Sequence, residues 1–307
     1  MSHILKKEDC MKFLETLEDE SVDLVCVDPP YFEILKNSWD NQWSSEEEYI
    51  EWCRLWTMEC FRVLKTGGCF YVWGTTKTDT FLNYKLEVLN KIDDAFYQNW
   101  IIWAYDWGGR TKKKFPRKHE DLLMYSKGKE FDFYADQILV ERAVKSNMNI
   151  TRKINLLKKV QEGLQLGVVH FSDSDIHSWK KYKFDKLDPE NYQKNLDDLL
   201  KKDQKLSKGK IPIDVWTKNN HTTSAEYAGW HPTQKPIELL ERIIKAHTKE
   251  GEVVLDIFSG SGSTLVAADK CKRLFVGCEF DEEYYLKSLD RLEKLRNHYK
   301  SLDKKQK

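Results

Sequence analysis

The chain has 307 residues, of which 40% are apolar and 33% charged, with 14 Gly and 7 Pro. That composition excludes collagen-like, low-complexity and wholly disordered classes and allows one large α/β domain with an insertion, or about two domains. The formal net charge is 0, but residues 1–50 hold 4 basic and 13 acidic groups while residues 110–210 hold 24 basic and 15 acidic ones. Such a division predicts an acidic site on one part of the chain and an anionic ligand on another.

No apolar run is long enough for a transmembrane helix, and the start, MSHILKKEDCMKFLETL, has no signal-peptide core. The seven cysteines form no CxxC pair, so neither a zinc site nor a disulfide framework is expected. The expectation is a reduced, cytoplasmic protein without membrane or metal.

In chain order, the valine-rich run 22–27 reads as a strand stopped by Pro29 and Pro30, which have no N–H for a ladder. Residues 46–64 read as a helix ended by Gly67 and Gly68, and 69–74 as the next strand. Residues 99–105 predict a strand, 108–118 a basic loop and 121–127 a short strand. From 131 to 211 charges are dense and strand–helix alternation disappears, which predicts an insertion between 1–130 and 212–307. Alternation resumes with a helix over 236–248 opened by Pro236, a strand over 253–258, a loop over 259–263, a helix over 264–271, a strand over 273–280 and a terminal helix over 281–300.

Two loops carry chemistry. In VVLDIFSGSGSTLVAA, Gly260 and Gly262 let backbone approach a ligand, and the following helix adds free N–H donors. No Gly-Lys-Ser/Thr follows, so this is not a nucleotide P-loop. Glu279 ends the next strand 23 positions after Asp256, near the spacing at which an acid meets ribose hydroxyls. An adenosine-containing cofactor without a tight phosphate cradle fits, as does a plain βαβ turn that binds nothing. The second loop, Asp28-Pro29-Pro30-Tyr31, follows a buried strand. Its carboxylate and proline carbonyls suit both hydrogens of an exocyclic amine, and Tyr31 offers a face for a base. A proline turn with a surface Asp is the bland alternative.

Together and in this order, DPPY, HPTQKP and DIFSGSGS resemble the β-class DNA amino-methyltransferases, over residues 8–31, 49–74, 99–127 and 211–292. Glutamine and ribosomal methyltransferases with similar corners place the cofactor loop first. The resemblance implies an α/β, Rossmann-like methyltransferase sheet with permuted motif order and an inserted target-recognition region at 131–211. It implies S-adenosyl-L-methionine as cofactor and a flipped base in double-stranded DNA as acceptor.

The family roles map onto Asp28 as holder of the target amino group, with the Pro29 and Pro30 carbonyls assisting, and Tyr31 as stacking face. Asp256, Phe258, Ser259, Gly260, Ser261, Gly262 and Ser263 would wall the cofactor, and Glu279 would bind its ribose. Lys235, within His231, Gln234 and Pro236, would lie near its carboxylate, and Asp9 and Cys10 near its adenine. Departures are Phe32, where Asn is usual, and DIFSGSG for Asp-Pro-Phe-Ala-Gly-Ser-Gly.

Arg110, Lys112, Lys113, Lys114, Arg117 and Lys118 are the candidate phosphate contacts; a solvated loop is their alternative. Trp39 and Trp43 could cover the flipped base or simply pack. Because the corner begins with Asp, adenine N6 is expected; cytosine N4 and an inactive DNA-binding module are the alternatives. The resemblance also allows a homodimer and a cognate restriction endonuclease.

Overall fold

The structure is a computed structural model; it describes residues 3–34, 40–105, 111–113, 115–140, 152–159, 172–181, 194, 197–199, 211–217 and 227–306. The chain divides into two compact units, one formed by residues 1–137 with 213–307 and the other by 138–212. In the smaller unit the described residues include the helix Asp173–Lys181, where Asp175 accepts from Lys159 at 2.6 Å. Most of the region expected to read DNA sequence lies outside the described residues.

Among the described residues, the larger unit is built on eight strands: β1 (Ile4–Lys7), β2 (Val22–Val27), β3 (Leu64–Gly74), β4 (Ala95–Ala104), β5 (His119–Lys127), β6 (Val215–Thr217), β7 (Val253–Asp256) and β8 (Leu274–Glu279). Their order across the sheet is β1-β8-β7-β2-β3-β5-β4-β6. All neighbours are parallel except β3–β5 and β5–β4.

Among the described residues, six α-helices pack on this sheet: α1 (Cys10–Glu15), α2 (Glu46–Val63), α3 (Thr80–Glu87), α4 (Ile237–His247), α5 (Ser263–Lys270) and α6 (Glu282–Gln306). Alternation along each strand splits the core into two layers. Val25, Val27, Phe70, Val72 and Leu123 pack with residues of α1, α2 and α3, whereas Leu24, Cys26, Tyr71, Trp73 and Leu122 pack with those of α4, α5 and α6. A strand buried on both faces reads as a continuous apolar run, which is why VDLVCV is legible as β2.

Some expected boundaries differ. α2 ends at Val63, not at Gly67-Gly68, and β3 begins at once, because Leu64 takes an extended conformation and pairs with Val22. Phe131 to Gln137 run with the larger unit: Tyr134 donates its amide to Ala246 at 2.7 Å, and Arg273 donates to Gln137 at 3.0 Å. All seven cysteines are free and buried. No helix among the described residues is long and apolar enough to cross a membrane.

Candidate active site

β7 and β2 are parallel neighbours, but the chain leaves β7 toward β8 on one side and leaves β2 toward β3 on the other. The sheet order therefore reverses between them, and open α/β sheets place ligands outside the strand ends at such a point. The glycine loop leaves the end of β7 and the Asp28 corner leaves the end of β2. Both open into one cavity of about 530 Å³, a volume typical of small-molecule sites.

The side of the cavity nearest the glycine loop is acidic and apolar. Asp9, Asp256 and Glu279 line it together with Cys10, Ile257, Phe258 and Phe280. Asp9 also caps α1: its Oδ1 accepts from the Met11 and Lys12 amides at 3.0 and 3.2 Å, as Asp does at a helix start. Asp256 is buried, and its Oδ1 accepts from the Phe258 amide at 3.0 Å. Burial pushes its carboxyl up to about 7, against the Thr264 and Phe258 hydrogen bonds, which favour the ionised form. Burial also raises the Glu279 carboxyl, although the Asp281 and Gly260 amides donate to it at 2.9 and 2.6 Å. Burial pushes the Cys10 thiol up to about 12.

Gly260 has φ +48°, and a side chain there would start 2.8 Å from His231 Nε2. His231 thus covers the loop backbone, while burial lowers its imidazole to about 4. Arg291 on α6 supports the loop from beneath, donating to Ser261 O at 2.6 Å and to Ser263 Oγ at 3.0 Å. Ser259 and Ser263 line the cavity, whereas Gln234, Pro236 and Gly262 do not. Gln234 instead accepts the Ala228 amide at 2.7 Å, Pro236 caps α4, and Gly262 caps α5 in a left-handed conformation.

At the corner, Asp28 has two partners: Tyr31 donates its hydroxyl to Oδ1 at 2.6 Å and Lys235 reaches Oδ2 at 2.5 Å. Lys235 therefore lies on the Asp28 corner rather than only beside the glycine loop. The Pro30 carbonyl is engaged by the Tyr49 hydroxyl at 2.9 Å. Asp40, buried, accepts the Tyr31 amide at 2.9 Å and holds the turn; no local pattern marks it in the sequence. Phe32 packs toward Tyr49, with ring centres 5.7 Å apart, and Trp43 lies 4.8 Å from both Tyr49 and Trp52. Neither Phe32 nor Trp43 lines the cavity. Trp39 lies outside the described residues.

The basic loop is not uniform. Lys112 and Lys113 are exposed, and Arg110 and Lys114 lie outside the described residues. Arg117 turns inward, donating to Thr75 Oγ1 at 2.9 Å and to Thr76 Oγ1. The Lys118 carbonyl accepts from the Tyr105 amide at 3.0 Å.

The cavity can hold a cationic, adenosine-like molecule against acids and apolar walls, with a second group at Asp28. The chain belongs to the N6/N4 DNA methylase family, whose pattern it matches over residues 22–289, and it is a DNA methyltransferase.

It is 30% identical over 298 residues to the DNA adenine methyltransferase YhdJ of Escherichia coli K12, covering 95% of this chain and 82% of that one. It is 27% identical over 301 residues to the type II methyltransferase M.HpaI of Haemophilus parainfluenzae, covering 97% and 77%. The PvuII DNA methyltransferase, cytosine-N4-specific, shares the fold with a TM-score of 0.63 at 16% identity, over 98% of this chain and 92% of that one. M1.HpyAVI, solved with S-adenosylmethionine, shares it with a TM-score of 0.53 at 17% identity, over 94% and 98%.

Proposed function

We propose that this chain transfers a methyl group from S-adenosyl-L-methionine to the N6 amino group of a flipped adenine in double-stranded DNA. One observation carries the reading: the Asp28 corner and the glycine loop open into the same cavity. The lining suits the cofactor, since Asp9, Asp256 and Glu279 can accept from hydroxyl and amino groups while Ile257, Phe258 and Phe280 suit adenine. Support for adenine comes from the Asp that opens the corner and from the adenine enzyme YhdJ among the relatives.

When bound, S-adenosylmethionine supplies the electrophilic methyl group. Asp28 and the Pro29 carbonyl accept the two hydrogens of the amino group, whose lone pair is otherwise shared with the ring. This localises the lone pair and aims it, and positioning of that kind removes several kcal/mol or more from a barrier. As the N–C bond forms and the methyl–sulfur bond breaks, leaving a neutral thioether, the positive charge passes to the nitrogen beside the Asp28 carboxylate, and the nitrogen then gives up a proton to water. Tyr31 supplies a stacking face for a base extruded from the duplex, a step that costs a few kcal/mol. Lys112 and Lys113 serve as phosphate contacts.

The test is incubation with DNA and labelled S-adenosylmethionine, followed by digestion to nucleosides. Label in N6-methyladenine is expected. Label only in N4-methylcytosine overturns the adenine assignment, and label in no DNA nucleoside overturns DNA as the acceptor.

A further inference from the structure

Glu120 belongs to neither loop, yet it reaches the corner. Its Oε2 lies 3.2 Å from Lys235 Nζ, the same ammonium that meets Asp28 Oδ2 at 2.5 Å. Lys235 is 5% exposed and sits 5.2 Å from the centre of the Trp73 ring. Burial by itself lowers the affinity of this ammonium for its proton, but Asp28 and Glu120 outweigh that effect and raise it.

Strand geometry explains the convergence. β5 runs antiparallel to β3, so its first residues lie at the edge where β2 and β3 end. Successive side chains alternate faces. Asp121 therefore turns away from Glu120, accepting from Trp100 Nε1 at 2.8 Å and from Thr76 Oγ1 at 2.9 Å, while Glu120 turns toward Lys235.

Charge then decides what Glu120 does. Asp28 with Lys235 alone forms a neutral pair, in which the ammonium takes up one carboxylate oxygen and cancels its field. Burial raises the Glu120 carboxyl while the Lys235 ammonium acts to lower it; with Glu120 ionised, the set of three carries one net negative charge.

We propose that Glu120 is a positioning residue for methyl transfer: by sharing the Lys235 ammonium, it leaves Asp28 a net anionic acceptor for the target amino group. This rests on the reading that Asp28 engages that group. The gain appears only as charge builds on the reacting nitrogen, so it belongs to turnover and not to ground-state binding.

The experiment is steady-state methylation of DNA by the wild type, Glu120→Gln, Lys235→Met and the double variant. Glu120→Gln lowers kcat about 10- to 100-fold with both KM values within about threefold of wild type. In the Lys235→Met background the same change costs nothing further, because no ammonium is left to share. Glu120→Asp keeps the charge and stays within about tenfold of wild-type kcat, and this variant decides the matter if the amide variant does not fold.

Unchanged kcat in Glu120→Gln overturns the inference. So does an equal loss in both backgrounds, or a larger loss in Glu120→Asp. A wild type that methylates no DNA instead removes the reading of the corner, and the inference falls with it.

Discussion

The Gly260 amide donates to Glu279 Oε2 at 2.6 Å, which ties the turn of the glycine loop to the end of β8. One carboxylate thus shapes the loop and faces the cavity. Glu279→Ala is expected to weaken S-adenosylmethionine binding about 10- to 100-fold, the range for a lost hydrogen bond to a charged group. Calorimetric titration measures it, and an unchanged Kd refutes the ribose assignment.

Asp28→Ala removes the acceptor of the amino group. Turnover should fall by at least about 10²-fold, as for loss of a single transition-state contact. DNA affinity in a gel-shift assay should hold. A parallel loss of DNA binding would assign Asp28 to binding instead.

Asp256 makes stability depend on pH. Burial pushes its carboxyl up to about 7, above the ordinary range. Between about pH 4 and about pH 7 the folded chain keeps a proton that the unfolded chain has released, so this group's contribution falls as pH rises through that window. Urea denaturation should show Asp256→Asn gaining stability relative to wild type from about pH 5 to about pH 8. A constant difference across that range contradicts the assignment.

Gly262 caps α5 with φ +72°, and a side chain there would begin 3.0 Å from Ser288 Cβ. Gly262→Ala should cost about 1–2 kcal/mol from the left-handed backbone, before any displacement of Ser288. Thermal melting reads this directly, and an unchanged Tm would refute it.

Lys112 and Lys113 are exposed, whereas Arg117 is anchored on Thr75 and Thr76. Replacing both lysines with Ala should weaken DNA binding alike for all sequences and reduce the salt slope by up to about 2. Arg117→Ala should act on stability as well, because it removes a clasp between the segment after β3 and the segment before β5. An unchanged slope in the lysine variant would leave the loop without a DNA role.

The strands and helices flanking both loops are legible because burial on two faces writes continuous apolar runs and burial on one face writes a helical period. β1 and α1 were not legible: ILKK is a half-buried edge strand, and CMKFLE is a helix of 6 residues. The Asp28 corner and the glycine loop are legible since proline and glycine leave local signatures. Glu120, Asp40 and Arg291 leave none. Glu120 and Asp121 are adjacent acids in the sequence, and only the strand's alternation separates them into different networks.

The sequence by itself determined the residue types of the two loops, their order along the chain, and the family to which that order belongs. Local chemistry suffices there, because a carboxylate before two prolines or a run of small residues after a strand has a fixed set of conformations and partners. The tertiary structure decided which groups meet. Lys235 and Asp28 are 207 positions apart and lie at 2.5 Å because α4 packs on the face of the sheet that Leu24 and Cys26 share. That buried ammonium needs its counter-charges close by, and Asp28 and Glu120 supply them from the edge where β2 ends and β5 begins.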